Sequence, residues 1–441
     1  MTESAKTPAP SLQLRQPEFT ADVSEPFTND RLNRQSGVKA LCRRIGQLTG
    51  PAALAVCGDF GEGKTAFLRM CSAHLRSQGT AVVDYNVWLK GHTGEPMRDL
   101  LSVLSNDLDK PKALQDLLRK MVERGLRKIS GGLVEPTDFE RQIPEVMREW
   151  EEADEIRHRL QEALTQAAQN RNGKLVILID ELDRCLPKYA LGTLNAVRNL
   201  LDVPGVVVVL GLNRREVAAR IRQLYGSNTD AQKFLGRFVD YSIDLKRPNA
   251  LSGGMDQFLD EISARANTND WLKFSTREYT SLMVKVMVDR FEMSLRDAEQ
   301  LVHRVAVSLG MSETTSARPE IRQLLLPLLA LRVGDPNAYQ ALLRDRDSVF
   351  DSARILSHKL AVTPDDHVGL QMIALLILAC VDNYHDLTLE SFKEVMQSLE
   401  SPGIDPQIIE PIWSRYTSMR QGRYWALNFF QELTDLIELS A

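Results

Sequence analysis

The stretch Ala52-Ala-Leu-Ala-Val-Cys-Gly-Asp-Phe-Gly-Glu-Gly-Lys-Thr65 runs from an apolar segment into a glycine-rich turn. Its first part, Ala52–Cys57, is entirely apolar, as expected of a strand that is buried on both faces of a sheet. The turn is followed by a segment with the pattern of a helix, Ala66–Gln78. A buried strand that passes through such a turn into a helix predicts a parallel α/β sheet.

The glycine-rich turn, Gly58–Thr65, matches the spacing GxxxxGK[ST] at every fixed position. Glycines let the backbone curl until its N–H groups face a phosphate, and the helix that follows presents its positive end to the same anion. We expect Lys64 to reach the β- and γ-phosphates and the Thr65 hydroxyl to bind Mg²⁺. The residues expected to contact nucleotide here are Gly58, Asp59, Phe60, Gly61, Glu62, Gly63, Lys64, Thr65 and Ala66.

Further apolar runs predict strands at Ala81–Tyr85, Leu175–Ile179, Val206–Gly211 and Tyr241–Leu245. Helical patterns near residues 189–201 and 214–224 separate the last three runs. Short apolar strands alternating with helices indicate a parallel sheet with helices on both faces. After Pro248 the strand signal ends, and we expect the rest of the chain to be helical.

Acidic residues follow the run Leu175–Ile179. The carboxyl end of a buried parallel strand lies at the edge of the sheet where ligands bind. We expect Asp180 to hold Mg²⁺, largely through water, and Glu181 to polarise the water that attacks the γ-phosphate. For Asp183 two roles stay open: orienting Arg184 or capping the next helix.

Asn213 comes just after the run Val206–Gly211. We expect this run to form the strand beside the one that ends at Asp180 and Glu181. A polar side chain at this tip can contact the γ-phosphate or the attacking water. Asn also favours the N-cap position, and a helix follows. Both roles stay open, and they are compatible.

The composition of the 441-residue chain, with 43% apolar and 26% charged residues, excludes a disordered, collagenous or low-complexity protein. Its net charge is −5, whereas a general nucleic-acid-binding protein is usually basic. Residues 311–441 carry 11 Lys/Arg against 18 Asp/Glu. This acidic region suits a protein partner or another subunit better than DNA. A basic stretch at 112–128 fits either a nucleic-acid contact or a solvated helix face.

The five cysteines lack CxxC spacing, which argues against a disulfide framework or a zinc site and for a reducing compartment. The first residues do not have the pattern of a secretory signal. The longest apolar stretch, Met372–Val381, is too short for a membrane span, which needs about 20 residues. We therefore expect a cytoplasmic protein without a membrane partner.

Changes in composition and pattern predict the domain organisation. The first residues are rich in Ser, Thr and Pro, and breaks at Pro and Gly interrupt the helical second half. The predicted parts are a flexible leader at 1–26, an α/β domain at 27–248 with a helical insertion at about 97–168, a helical lid at 249–310 and a C-terminal helical domain at 311–441.

Several motifs resemble those of the KAP family of P-loop NTPases. Asp180-Glu-Leu-Asp-Arg-Cys185 is very close to that family's Walker B signature. Three other segments agree, and the resemblance covers roughly residues 30–310. They are Asp30-Arg-Leu-Asn-Arg34 ahead of the P-loop, Tyr85-Asn-Val-Trp88 after the second strand, and Ala231-Gln-Lys-Phe-Leu-Gly-Arg-Phe-Val-Asp240.

The resemblance implies an ASCE-type P-loop sheet with an inserted strand and a helical lid. It implies hydrolysis of NTP, usually ATP, coupled to a conformational change, and it adds Arg34 to the predicted nucleotide contacts. Bacterial relatives include phage-exclusion proteins, and animal relatives are membrane-associated scaffolds. This chain departs from the family in lacking transmembrane helices, in carrying Asn213 where Asp is usual, and in having Gly236-Arg237 in place of Glu-Lys.

Three arginines could stabilise charge that develops on the γ-phosphoryl group: Arg184, Arg237 and Arg296. Arg237 precedes the last strand, where related NTPases present an arginine finger. Arg296 lies in Met293–Asp297, where Ser294 and Asp297 can form a capping box at the start of a lid helix. A surface salt bridge is the alternative for each.

Three functions follow from these residues. The first is a Mg²⁺-dependent ATPase that works as a nucleotide-driven switch or assembly engine. For this function, the family resemblance alone implies a role in defence against phage or plasmids. The second is a nucleotide-binding scaffold of low turnover, which the presence of Glu181 disfavours. The third is a DNA-remodelling motor, for which the stretch 112–128 is the only indication.

Overall fold

The computed structural model divides the chain into two compact units, Glu18–Lys246 and Arg247–Ala441 together with Met1–Pro17. Most of the predicted insertion, including 112–128, and most of the predicted C-terminal domain lie outside the described residues. The structure describes residues 18–90, 96–108, 158, 161–162, 164–169, 173–200, 203–247, 255–265, 279–310, 319–344 and a few single positions between 389 and 414.

The first unit contains a parallel sheet of five strands, ordered β2-β3-β4-β1-β5. Strand β4 therefore lies between β1, which leads into the P-loop, and β3, which carries the Asp-Glu pair. This confirms the predicted fold class, a P-loop sheet of the ASCE type. The strands are β1 Ala52–Cys57, β2 Ala81–Asn86, β3 Leu175–Asp180, β4 Val206–Leu212 and β5 Tyr241–Asp244.

Helices cover both faces of this sheet, and a short 3₁₀ turn, Leu182–Arg184, follows β3. Successive strand residues point to opposite faces, so Leu54 and Val56 join one core while Ala55 and Cys57 join the other. The first core packs against α1 and α2, the second against α4 to α7. The helices are α1 Gln35–Gln47, α2 Lys64–Ser77, α3 Val87–Lys90, α4 Pro96–Asp107, α5 Pro187–Leu200, α6 Arg214–Tyr225 and α7 Ala231–Leu235.

The described residues of the second unit from 255 to 344 are helical, as predicted. Buried leucines, among them Leu328 and Leu331, form its core. None of the helices in the described part of the chain is long and apolar enough to cross a membrane. These helices are α8 Asp256–Arg265, α9 Tyr279–Arg290, α10 Leu295–Gly310, α11 Pro319–Gly334 and α12 Pro336–Arg344.

The segment that precedes α1 packs against the first core. Phe19 and Ala21, which the sequence analysis placed in the leader, contact this core together with Phe27. Arg69 on α2 donates to the carbonyl of Phe19. The segment from Glu18 to the start of α1 therefore belongs to the first unit in the structure.

Lys174 stabilises the end of α1. Its ammonium donates to the carbonyls of Ile45 at 2.7 Å and Leu48 at 2.6 Å, and also to Gly46. The last carbonyls of a helix lack the usual amide partners of its next turn, although Ile45 also accepts from the Leu48 amide at 3.2 Å. We predict that Lys174→Met lowers the free energy of unfolding by about 1–2 kcal/mol through loss of these hydrogen bonds. Denaturant unfolding measures the effect, and Lys188→Met, at an exposed position, is the control.

Candidate nucleotide-binding site

The register of the sheet brings the predicted site residues to one edge. Cys57 at the end of β1 lies opposite Leu212 of β4, and Asp180 of β3 lies opposite Asn86 of β2. Because all strands are parallel, their carboxyl ends meet at this edge. The P-loop, the Asp-Glu pair, Asn86 and Asn213 therefore lie side by side.

The P-loop has the backbone that its glycines permit. Gly61 and Gly63 adopt φ values of 82° and 84°, a region that side chains with a Cβ rarely occupy. A Cβ on Gly58 would lie 2.8 Å from the Glu62 carboxylate, which accepts a 2.7 Å hydrogen bond from the Asp59 amide. Gly63, the N-cap of α2, has no side chain to cap the first amides of this helix. These amides can therefore bind a phosphate.

The side chain of Lys64 is buried and anchored at the P-loop. Its ammonium donates to the carbonyl of Gly58 at 2.9 Å and to that of Asp59 at 3.0 Å. The ammonium also lies 5.5 Å from the centre of the Phe60 ring, which is exposed. The carbonyls of the P-loop thus fix the position of the Lys64 ammonium.

The two residues predicted to hold Mg²⁺ influence each other. Burial, the largest influence, raises the pKa of the Asp180 carboxyl, and the neighbouring Thr65 hydroxyl lowers it. A Cβ on Gly211 would lie 2.8 Å from Asp180 Oδ1, so the glycine in β4 makes room for this carboxylate. A half-buried carboxylate beside a hydroxyl fits Mg²⁺, which takes few protein oxygens and completes its shell with phosphate oxygens and water. The described residues contain no cluster of three or more His, Cys, Asp or Glu that could hold a metal ion.

Glu181 is held through both carboxylate oxygens. Asn86 Nδ2 donates to Oε2 at 2.9 Å, and Arg184 Nη1 lies 2.8 Å from Oε1. The backbone of Glu181 is left-handed, with φ 61°, which is rare for a residue with a side chain. Strain of this kind is found at functional sites, where the surrounding structure maintains it.

Asn86 is a site residue to which the sequence analysis assigned no role. It ends β2, whose neighbour in the sheet is β3, and its amide reaches the carboxylate of Glu181. The sequence feature that could have marked Asn86 as a site residue is its position directly after the second apolar run. Nothing in the sequence pairs residues 86 and 181 until the register of β2 with β3 is known.

Asn213 caps α6 and also contacts the P-loop. Its Oδ1 accepts from the amides of Arg215 at 3.0 Å and Glu216 at 3.4 Å, so the N-cap role is present. Its Nδ2 donates to Asp59 Oδ1 at 3.1 Å. A role as a γ-phosphate sensor stays a prediction, for which this position beside the P-loop is suitable.

Arg34 approaches the P-loop from the start of α1. Its guanidinium lies 3.5 Å from the Glu62 carbonyl, and Asp30 accepts from the amides of Arg34 and Gln35. Burial lowers the pKa of Arg34, and the nearby Glu62 carboxylate opposes this effect. Arg34 thus places a partly desolvated positive charge beside the loop predicted to hold phosphates.

The three candidate arginines have different surroundings. Arg184 pairs with Glu181 of its own site. Arg237 is exposed after α7, with its guanidinium 5.6 Å from the centre of the Phe234 ring. Arg296 lies in the first turn of α10, in the second unit. The predicted capping box is present there, with Ser294 and Asp297 exchanging hydrogen bonds of 2.9 and 3.2 Å. The role of each as a finger stays a prediction.

Asp180→Asn should make the nucleotide-free chain more stable and reduce its Mg²⁺-dependent turnover. Because folding raises the pKa of Asp180, the charged carboxylate opposes folding at neutral pH. We predict that the variant raises the melting temperature of the nucleotide-free chain by about 2–4 °C. The difference shrinks as the pH falls through the raised pKa of the native carboxyl, and it is lost below the ordinary pKa of Asp, about 4. Thermal unfolding at two pH values measures it.

The same variant should lose Mg²⁺-dependent turnover by at least about 100-fold, because a neutral amide holds Mg²⁺ and its bound water much less well than a carboxylate does. Asp84→Asn, which removes a carboxylate from an exposed ion pair with Arg76, is the matched control. A variant that is less stable than the native chain at neutral pH would contradict the stability prediction. Unchanged turnover would contradict the assignment of Asp180 to the metal.

Solved structures that match this chain include three with low identity and low TM-scores. The ORC2 protein of Aeropyrum pernix, in ADPNP-ADP complexes, is 12% identical and has a TM-score of 0.35, covering 92% of this chain and 94% of that one. ORC1 of the same organism, in complex with DNA, is 16% identical with a TM-score of 0.34, at 93% and 95% coverage. AMPPCP-bound DnaA from Aquifex aeolicus is 12% identical with a TM-score of 0.30, at 93% coverage of both chains.

Comparison with protein families found a specific match. No curated protein matches this chain. The model of the KAP family P-loop domain matches residues 38–309, well over half of the chain and the whole of the site described above apart from Arg34. This chain belongs to the KAP family of P-loop NTPases.

Proposed function

We propose that this protein binds ATP with Mg²⁺ and hydrolyses it, and that it works as a nucleotide-driven switch or assembly engine. One observation carries the proposal. The anchored ammonium of Lys64, the Thr65–Asp180 pair and the carboxylate of Glu181 lie together at the carboxyl edge of one parallel sheet. Phosphoryl transfer requires these groups in one place.

Each group has a separate task in this proposal. The N-terminal amides of α2 and the Lys64 ammonium bind the β- and γ-phosphates. Thr65 and Asp180 would hold Mg²⁺, which when bound would neutralise part of the phosphate charge. Glu181 orients the attacking water, and Asn213 contacts the γ-phosphate from the tip of β4. An arginine, either Arg237 or Arg296, completes the charge stabilisation.

A scaffold that binds nucleotide and hydrolyses little is the second candidate. The contacts of Glu181 favour it, because Asn86 and Arg184 engage both carboxylate oxygens. A carboxylate has about four acceptor positions, so these contacts leave room for a water molecule. We therefore favour hydrolysis, with a rate that depends on how Asn86 and Arg184 hold Glu181.

The cellular setting that we propose is cytoplasmic defence of a bacterial cell against phage or plasmids. This part rests on the resemblance to bacterial family members alone. The acidic region 311–441 would bind a protein partner or a second copy of the chain. The choice of ATP over GTP rests on the usual preference of the family, since the sequence carries no NKxD guanine motif.

Nucleotide turnover by the purified chain tests the proposal. We would measure phosphate release with Mg-ATP and Mg-GTP over a range of protein concentrations, for the native chain and Glu181→Gln. Turnover that rises with concentration and is lost in the variant supports an assembling ATPase. Tight Mg-ATP binding without turnover supports the scaffold. Absence of nucleotide binding overturns both.

A further inference from the structure

Asp183 is a buried carboxylate between two motifs of the site. Its side chain is 2% exposed. Its Oδ2 accepts a 3.1 Å hydrogen bond from the backbone amide of Asn213 and lies 3.6 Å from the ammonium of Lys64. These contacts differ from both roles expected from the sequence. Arg184 pairs with Glu181, and Asp183 accepts from the amide before α6 rather than capping α5, the helix that follows it.

The ammonium of Lys64 has three N–H groups. Two of them serve the carbonyls of Gly58 and Asp59. The third is available to Asp183, whose carboxylate lies just beyond ideal hydrogen-bond distance. Because the loop engages the other two N–H groups, this third N–H is the one that a phosphate entering the P-loop would take.

We propose that Asp183 is a positioning residue that competes with phosphate for Lys64 and reports the arrival of nucleotide to Asn213. This inference rests on the proposed nucleotide-binding function. In the empty site Asp183 neutralises Lys64. When phosphate takes the third N–H, Asp183 keeps the Asn213 amide as its donor. A buried charge with fewer partners is costly, so Asp183 opposes nucleotide binding.

Through Asn213, this competition can affect the start of α6. Asp183 bonds the backbone of Asn213, while the side chain of Asn213 bonds Asp59 in the P-loop and begins α6. A change in the partners of Asp183 thus acts on the residue between the P-loop and α6. The pair Lys64–Asp183 joins the phosphate site to a helix that begins at its edge.

Asp183→Asn is expected to bind ADP and ATP about tenfold more tightly than the native chain and to hydrolyse ATP about tenfold more slowly. The amide oxygen still accepts from Asn213, but the negative charge that competes with phosphate is gone. A merely structural role would weaken both properties. Binding is measured by calorimetry and turnover by phosphate release, with Asp84→Asn as the control for the same change at an exposed ion pair.

A second measurement needs no nucleotide. Thermal unfolding of Lys64→Ala, Asp183→Asn and the double variant forms a double-mutant cycle. We expect Lys64→Ala to be less stable than the double variant, because the single change leaves the Asp183 charge buried and unpaired. Additive effects would overturn the pairing. If Asp183→Asn does not fold, Asp183→Ser, which also removes the charge and keeps an acceptor oxygen on the side chain, replaces it in both measurements.

The outcomes separate this inference from the proposed function. A native chain that binds no nucleotide overturns the proposed function, and with it the competition. A native chain that binds nucleotide, beside an Asp183→Asn variant of equal or weaker affinity, overturns the competition alone. Tighter binding with slower turnover in the variant, together with a coupled unfolding cycle, supports the inference.

Discussion

Lys64→Ala is expected to lose at least about 100-fold in affinity for Mg-ATP, and with it all turnover at ordinary nucleotide concentrations. The variant removes a charge-assisted hydrogen bond to phosphate, one of the stronger polar interactions in proteins. It also removes the group that Gly58 and Asp59 hold at the mouth of the site. Calorimetry or a fluorescent nucleotide titration measures the loss.

The stability of this variant has to be separated from its binding. Lys64 is buried beside Asp183, so its removal also leaves an unpaired charge. The double variant Lys64→Ala/Asp183→Asn should regain stability without regaining affinity for nucleotide. Lys188→Ala, at an exposed position of α5, controls for the loss of a lysine. Native affinity in Lys64→Ala would contradict the P-loop assignment.

Glu181→Gln is expected to bind Mg-ATP as the native chain does and to hydrolyse it about 10²–10⁴-fold more slowly. A positioned general base contributes rate factors of this size. Gln has the length of Glu and offers Asn86 an acceptor oxygen, but it cannot take a proton from water. Single-turnover hydrolysis with a parallel binding titration measures both quantities.

Glu216→Gln is the matched control for this variant. Glu216 also pairs with an arginine, since Arg220 Nη1 lies 3.1 Å from its Oε2, and the pair lies on α6. Its turnover should stay within a few-fold of the native rate. Native turnover in Glu181→Gln would show that another group activates the water. Loss of nucleotide binding in the same variant would show that Glu181 contributes to binding the nucleotide and not only to its hydrolysis.

The strands were predictable because buried strands of a parallel sheet are apolar on both faces. The prediction Ala52–Cys57 coincides with β1, and Leu175–Ile179 and Val206–Gly211 each fall one residue short of β3 and β4. In each case the residue left out of the prediction is the last one of the strand. Asp180 is polar and so does not extend the apolar run, and Leu212 lies directly before the polar Asn213. Helix α2 begins at Lys64, earlier than the predicted start, because the P-loop runs directly into it.

The chemistry of the site was predictable where one short segment carries it. The P-loop and the Asp-Glu pair each combine a strand, a turn and a set of polar residues within about a dozen positions. Local backbone geometry is enough to place these side chains. The capping box of α10 is predictable for the same reason, because Ser294 and Asp297 lie in one turn.

The partners of these side chains needed the tertiary structure. Asn86 reaches Glu181 only because β2 pairs with β3, and Asp183 faces Lys64 only because the 3₁₀ turn lies beside the P-loop. These residues are about a hundred positions apart, and a sheet can order its strands in many ways. Amino-acid types along the chain therefore determined which groups this protein has for its chemistry. Strand order and register, set by long-range packing, decided which of those groups touch.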